Sequence, residues 1–596
     1  MYEKLLRLIV TLNQWRKEHI SQENFLVMAA AIVGALGGLA ASLLKELVHL
    51  FSNYLQNDLH WKYKYYLFFF FPLIGILLTV LYVKAFIRRR PFRHGIPPLI
   101  KSVNQENSRL DFHNIYSQII SSALTVGMGG SAGLEAPAAS SGAAIGSNVG
   151  RVFGLNYRET TMLLACGGAA GISAAFGSPI AGMVFALEVL LPSFSIPAVV
   201  PLLIASAVAS VVSKLLLTKP LFVYVAETWD VGAFWFFVLF GIIAGLYTIY
   251  YSRLNAVIPK VTGRIKNTYG KIFAGGITLG LLVALFPAIY GEGYITIQEL
   301  LNGDFESLLE NSLFAEYKSY VWVTIGFAAL SLIGKTYGSV LTMSIGGNGG
   351  MFGPSVVIGG LLGFVFAMTV NQTGWIHLNV THFMVAGMAA SVSGVMHAPL
   401  TGVFLSAEIT GGYTLIVPLM MVAAIAYFIN KRARKYSIYT WVLAEQGSLV
   451  PDINKDAGVL ARLKLRYLIE KDFLVLYSEE TPMDRKQEIV QSDKNIFPVI
   501  DNEGKLMGVL SIEELLENIV NPKPGSSAVR MKDLVQPAND IAEMGMNMGQ
   551  VIQIMDKKNT RFLPVVDVNN KYLGFVTKNG IFNKYRKLLI RRSDLL

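Results

Sequence analysis

Two short glycine-rich breaks, Gly129 to Pro137 (GGSAGLEAP) and Gly346 to Pro354 (GGNGGMFGP), interrupt long apolar segments of this chain. Gly130 and Gly347, Gly133 and Gly350, and Pro137 and Pro354 all share a numbering offset of 217, so the breaks are two copies of one device. Glycine admits positive φ and close backbone approach, and proline suits the first turn of a helix, where its missing N–H would be unpaired anyway. Each break therefore predicts a fresh helix N-terminus with free amides. If both lie at membrane depth, their orphan N–H groups and positive dipole ends form an anion site without any formal positive charge. Broken helices at matching places in two halves are also the sequence pointer to a transport site. Glu135, inside the first copy, is an acid aimed at that site.

The setting is a membrane protein. The chain has 596 residues, 53% of them hydrophobic, and a mean hydropathy of +0.47, too apolar for a soluble protein. Apolar runs cover Phe25 to Phe51, Tyr65 to Phe86, Ile196 to Leu217, Phe234 to Tyr251, Ile272 to Ile289, Tyr320 to Ile333, Val356 to Val370 and Leu415 to Ile429. Several are shorter than the ~20 residues of a simple span, which predicts tilted or part-way helices. The net charge of +11 does not call for nucleic acid, because Arg88, Arg89, Arg90, Arg93 and the run Lys431 to Lys435 directly follow spans, as cytoplasmic loops do. The single cysteine, Cys166, excludes an intrachain disulfide. Residues 1–22 form an amphipathic segment, with Leu5, Leu6, Ile9 and Leu12 on one face, expected to be an uncleaved cytoplasmic surface helix.

A second repeat supports the first. Gly167, Pro179, Gly182 and Glu188 match Gly387, Pro399, Gly402 and Glu408, every pair at a numbering offset of 220. The membrane part, 23–445, is thus two homologous halves, about 23–225 and 226–445. Their relative orientation is not legible from the repeat alone. His94-Gly95-Ile96-Pro97 marks a third break, with a helix starting at or near Pro97. From about Lys455 the composition turns soluble. Pro498, Asp501, Gly508 and Ser511 recur as Pro564, Asp567, Gly574 and Thr577 with an offset of 66, each unit reading as strand, turn, strand, helix. The tail, 446–596, is expected to hold two such units at about 465–522 and 528–590, and to regulate rather than catalyse.

Together these features resemble the CLC chloride channels and proton/chloride antiporters with a tail of paired CBS domains. Gly133-Leu134-Glu135-Ala136-Pro137 is similar to the family's G-x-E-G-P motif, with Ala136 for the second glycine. Gly350-Met351-Phe352-Gly353-Pro354 fits G-x-F-x-P, His94-Gly95-Ile96-Pro97 resembles G-S-G-I-P, and Tyr436-Ser437 resembles the start of the last helix with its pore tyrosine. The resemblance implies an all-α membrane domain of inverted repeats with an α/β CBS pair, a multi-pass cell-membrane protein with both termini cytoplasmic, and a homodimer with one anion pathway per subunit. Glu135 would be the gate. The amides of Gly350, Met351, Phe352 and Gly353, the phenol of Tyr436, and the stretch His94, Gly95 and Ile96 would bind chloride or another small anion.

Two departures from the family pattern matter. His94 stands where the family has serine beside the anion, and implies an altered anion preference or pH sensitivity if it faces the pore rather than the cytoplasm. Val189 follows Glu188 at the position that is the inner proton-transfer glutamate of many antiporters, and valine cannot relay a proton. The chain is therefore expected to be a passive, gated conduit, with a proton-coupled chloride antiporter as the alternative and Glu188 as a structural acid that caps or pairs with a neighbour. In the tail, Ser511 and Thr577 mark where CBS pairs hold adenine nucleotides, but Glu514 and Gly580 replace the expected ribose-binding aspartate, which favours packing over nucleotide binding. A divalent-cation transporter would need several converging carboxylates. An intramembrane hydrolase would need a serine placed to use His382 or His397. Neither constellation is present in the motifs, so no catalytic residue, metal or required cofactor is assigned.

Overall fold

The structure, a computed structural model, describes residues 11, 13–55, 64–87, 94–191, 196–216, 228–310, 312–446, 463–520, 529–537 and 540–593. The expected cytoplasmic cluster of Arg88, Arg89, Arg90 and Arg93 lies outside them, as do residues 1–10 and 12 of the amphipathic segment. What is described of that segment is helical and tied down: Arg16 is buried over the Phe25 ring at 4.2 Å, and Asn13 Nδ2 donates to Phe153 O at 3.1 Å.

The chain forms two compact units, Met1–Leu449 and Val450–Leu596. The first is helical throughout. Its first half runs α1 (Gln22–Asn53), α2 (Lys64–Phe86), α3 (Pro97–Gln105), α4 (Asn114–Gly127), α5 (Glu135–Val152), α6 (Tyr157–Phe176), α7 (Pro179–Phe185) and α8 (Ile196–Leu216). Its second half runs α9 (Phe234–Thr262), α10 (Thr268–Leu285), α11 (Tyr294–Leu301), α12 (Ser307–Glu310), α13 (Val321–Ser344), α14 (Phe352–Gln372), α15 (Val380–Met396), α16 (Pro399–Ile409) and α17 (Ile416–Ala433), and α18 (Ile438–Glu445) closes the unit. The sequence offsets reappear as element boundaries. The first offset carries the end of α4 and the start of α5 onto the end of α13 and the start of α14, and the second carries the starts of α7 and α8 onto those of α16 and α17.

Among the described residues, eight helices are long and apolar enough to cross a bilayer. Most exceed the apolar runs read from sequence. The run expected to end at Ile333 continues to Ser344, because Gly334, Lys335 and Thr336 face the protein interior rather than water or lipid. A buried polar half-helix is invisible to a hydropathy scan.

Glycine decides how closely the two repeats pack internally. In the crossing of α5 with α6, a Cβ on Gly142 would stand 2.1 Å from Gly167 O, and one on Gly167 would stand 1.9 Å from Gly142 O. The equivalent crossing of α14 with α15 shows the same contact between Gly359 and Gly387, at 2.1 and 2.0 Å. Backbone thus meets backbone in both halves, the small-residue packing that membrane helices use in place of a hydrophobic drive.

In the second unit, β1 (Leu476–Tyr477), β2 (Ile496–Ile500), β3 (Leu506–Ser511) and β4 (Gln536–Pro537) form one sheet in sequence order, and β5 (Ala542–Glu543), β6 (Phe562–Val566) and β7 (Tyr572–Thr577) form another. In each, a short strand runs parallel to the first long one, which pairs antiparallel with the next. Val499 faces Gly508 and Val565 faces Gly574, with a register shift at the same step, so the offset of 66 is structural. Two separate apolar cores, around Phe497 and Leu510 and around Leu563 and Val576, sit beneath these sheets.

Replacing Gly142 or Gly359 with valine should destabilise the first unit by well over the roughly 1–3 kcal/mol usual for overpacking, because the clashing atoms are backbone and cannot rotate away. Gly326→Ala, where a Cβ meets nothing within 4 Å, should leave the thermal melt of the detergent-solubilised protein unchanged. Equal melts for the three variants would refute this packing argument.

Candidate anion site

The two glycine breaks meet. Gly133 N–H donates to Gly350 O at 2.9 Å, and Gly350 N–H donates to Gly133 O at 2.8 Å, an isolated antiparallel bridge between equivalent positions of the two repeats. Such a reciprocal pair places a local two-fold axis between them. The N-termini of α5 and α14 therefore start next to one another from a shared seam. The bridge is possible because neither residue carries a Cβ: one on Gly133 would lie 2.9 Å from Gly353 N, and one on Gly350 would lie 2.6 Å from the Ala136 Cβ.

Glu135 opens α5 and is 2% exposed. Its Oε2 accepts the Gly353 N–H at 3.1 Å, and its Oε1 accepts the Tyr294 O–H. The carboxylate therefore occupies the place where the first turn of α14 presents an amide. Around it stand further ionisable groups. Lys45 of α1, Glu292 and Lys335 of α13 lie within its electrostatic reach. Lys335 is fully buried, and its ammonium donates to Ile289 O at 3.0 Å and Gly291 O at 2.7 Å.

A second two-fold exchange lies at α7 and α16. Glu188 Oε1 accepts Leu400 N–H at 3.0 Å, and its Oε2 accepts Thr401 N–H at 2.8 Å and the Thr401 hydroxyl at 2.7 Å. Glu408 does the same for the other half, accepting Ile180 N–H at 3.1 Å and Ala181 N–H at 2.8 Å. Each acid caps the helix that its counterpart's repeat begins with Pro, which matches both the dipole and the orphan amides there.

A cavity of about 100 Å³ reaches Gly95, the residue before the turn into α3. Buried Gln118 and Ser140 and the half-buried Asn114 line its interior, and exposed Glu106, Arg109 and Asp111 stand at its rim. Gly95 has φ +79°, and its carbonyl accepts the Ser140 hydroxyl at 3.1 Å.

A family model for the voltage gated chloride channel matches residues 75–431, the greater part of the chain. The chain belongs to the CLC family. A CBS domain model matches residues 532–587 of the tail. The CLC chain is 25% identical over 422 residues to the H(+)/Cl(-) exchange transporter ClcA of Vibrio vulnificus, covering 68% of this chain and 86% of that protein. With chloride channel protein CLC-f of Arabidopsis thaliana it is 23% identical over 589 residues, covering 84% and 73%. Among solved structures it superposes on a slow cyanobacterial Cl-/H+ antiporter with a TM-score of 0.58 and 21% identity, covering 71% of this chain and 98% of that one. A CLC-type fluoride/proton antiporter gives the same TM-score and coverage at 25% identity.

In this CLC chain the expected site residues take different places. The Gly350 amide is spent on Gly133 O and is not free to hold an anion. Of the four amides expected from Gly350, Met351, Phe352 and Gly353, the one seen to present itself to a carboxylate is that of Gly353. Tyr436 lies two residues ahead of the last helix. Ser437 is the N-cap, its hydroxyl accepting Thr440 N–H, so α18 begins at Ile438 and Tyr436 stays half-buried, 5.6 Å below the Lys435 ammonium. The phenol that this cap turns inward is Tyr439, 4% exposed, within electrostatic reach of Glu135 and donating to Met396 Sδ at 3.5 Å, a weak acceptor. His94 is half-buried ahead of α3, in the field of Lys271. Ile96 is buried and serves as the N-cap of α3.

Val189 lies in the π-turn Ala186–Leu190 that follows α7, partly buried against the apolar core. In the tail, Ser511 is engaged with Glu514, whose carboxylate accepts both its N–H and its hydroxyl, and the Thr577 hydroxyl donates to Glu470 at 2.7 Å. Both hydroxyls thus face carboxylates.

Sequence reasoning missed Tyr294 and Lys335. Lys335 had a signal, a lone cation two residues past an apolar run, and an ionisable group at membrane depth is functional by default. Tyr294 had none, since a tyrosine near a helix start is common.

Glu188→Ala should leave the N–H and hydroxyl of buried Thr401 unpaired and cost about 1–3 kcal/mol of stability, while Glu188→Gln keeps one acceptor and costs less. Chemical denaturation of the two variants checks the order; equal losses would contradict the cap.

Proposed function

We propose that this CLC protein is a gated, passive conduit for chloride or a similar small anion, acting as a homodimer in a cell membrane with both termini cytoplasmic. The observation that carries the reading is the Glu135 carboxylate held on the Gly353 amide at the seam of the two repeats. A helix N-terminus that accepts a carboxylate accepts a halide by the same dipole and N–H chemistry. When Glu135 leaves that place, an anion takes it. Gly353 serves on the α14 side, Tyr439 rather than Tyr436 supplies the neutral phenolic donor, and Gly95 lines the approach through the cavity it borders.

Passive conduction is favoured over coupled exchange by the groups in the turn after α7. Val189 cannot carry a proton, and its neighbour Glu188 has both carboxylate oxygens committed to α16. The second reading is a proton-coupled antiporter, supported by relatives named as H(+)/Cl(-) exchangers and antiporters. For the tail we propose packing rather than nucleotide sensing, because carboxylates face both marker hydroxyls and would repel a phosphate.

Purified protein in liposomes separates the readings. A chloride gradient should drive anion flux without moving protons against their gradient, and Glu135→Gln should raise that flux several-fold. Uphill proton movement with wild type would favour the antiporter, and a Glu135→Gln variant with unchanged flux would remove Glu135 from the gate.

A further inference from the structure

The loop from Phe286 to Gly293 lies directly on the first glycine break. Gly291 N–H donates to Gly129 O at 3.4 Å, and the Tyr290 ring fills the space a Cβ on Gly129 would need, 2.2 Å from its nearest ring carbon. From the far side, Lys335 holds the loop by the carbonyls of Ile289 and Gly291. The loop ends at Gly293, whose φ of +88° turns the chain into α11 with Tyr294 as its first residue. The Tyr294 ring is wedged edge-on against Phe176 at 6.2 Å, and Phe176 packs on Phe352 at 5.4 Å. The hydroxyl is thereby delivered to Glu135 Oε1.

The carboxylate sits in a cradle with no spare room. A Cβ on Gly353 would meet the Tyr294 hydroxyl oxygen at 2.7 Å and the two Glu135 oxygens at 2.9 and 3.0 Å, and one on Gly133 would stand 2.1 Å from Oε2. One oxygen is thus bound by a backbone amide of the second repeat and the other by a phenol. An amide alone would treat a carboxylate and a halide alike. A donor that reaches the second carboxylate oxygen favours the acid over a single-atom anion.

We propose that Tyr294 is a positioning residue that latches Glu135 in the anion place and so sets how much chloride is needed to displace it. The proposal rests on Glu135 being the gate. It assigns a residue outside the expected motifs, in the second half of the chain, to the gate of the first. Chloride and the carboxylate compete for the Gly353 amide, so a hydrogen bond made only to the carboxylate raises the chloride concentration at half-maximal flux and leaves the maximal flux nearly untouched.

The test is chloride flux through the full-length protein in liposomes as a function of chloride concentration. Tyr294→Phe keeps the ring against Phe176 and removes the donor. The half-saturating chloride should fall roughly tenfold, the size expected for one hydrogen bond to a charged group, with maximal flux within about twofold of wild type. Tyr294→Leu, which removes ring and donor together, should shift half-saturation in the same direction. In a Glu135→Ala background, Tyr294→Phe should change neither parameter. An unchanged half-saturation in Tyr294→Phe, or an equal shift with and without Glu135, overturns the latch. A Glu135→Ala variant that itself behaves as wild type would overturn the gate on which the latch rests, an outcome distinguishable from failure of the latch alone.

Discussion

A peptide amide left without a partner inside hydrocarbon costs several kcal/mol, so a helix that starts halfway through a membrane needs acceptors brought to it from elsewhere. In this CLC chain the acceptors come from the opposite repeat. Gly133 and Gly350 exchange N–H donors across a two-fold seam, and Glu188 and Glu408 exchange carboxylates over the starts of α16 and α7. Each half is incomplete without the other. The duplication is therefore a way of satisfying interrupted backbone, and the glycine crossings of α5 with α6 and α14 with α15 hold the interrupted pieces close enough to do it.

The site follows from one asymmetry in that symmetric frame. By the repeat offset, Glu135 corresponds to Phe352, so the first repeat carries a carboxylate where the second carries a ring. The amide that receives the acid belongs to the other half. A symmetric pair of acids would repel. A symmetric pair of rings would leave the Gly353 amide to the anion alone, with no carboxylate at that position to displace it.

How much of this was legible in the sequence depended on whether the information was local. The breaks, their repeat, the capping role of Glu188 and the two tail units follow from glycine, proline and acid spacing, and the structure builds each from those residues. Helix phase was not legible. Ser437 as N-cap starts α18 at Ile438 and exchanges Tyr436 for Tyr439 as the buried phenol, a distinction set by one hydroxyl. Pairing was not legible either. That the Gly350 amide is consumed by Gly133, and that Tyr294 of the second half reaches Glu135 of the first while Lys335 holds the loop carbonyls, depends on how the loop before α11 folds over the first break. Hydropathy misled at α13, where polarity signals interior rather than exposure.

The central claim, that a carboxylate and an anion alternate on the same backbone amide at the seam of the repeats, is open to direct observation. Anomalous diffraction from bromide-soaked crystals of wild type and Glu135→Gln would locate the halide. The account predicts bromide within hydrogen-bonding distance of the Gly353 nitrogen in Glu135→Gln and the Glu135 carboxylate in that place in wild type at low bromide. Bromide beside Gly353 with the Glu135 carboxylate still bound to the same amide, or no halide there in either protein, would contradict it.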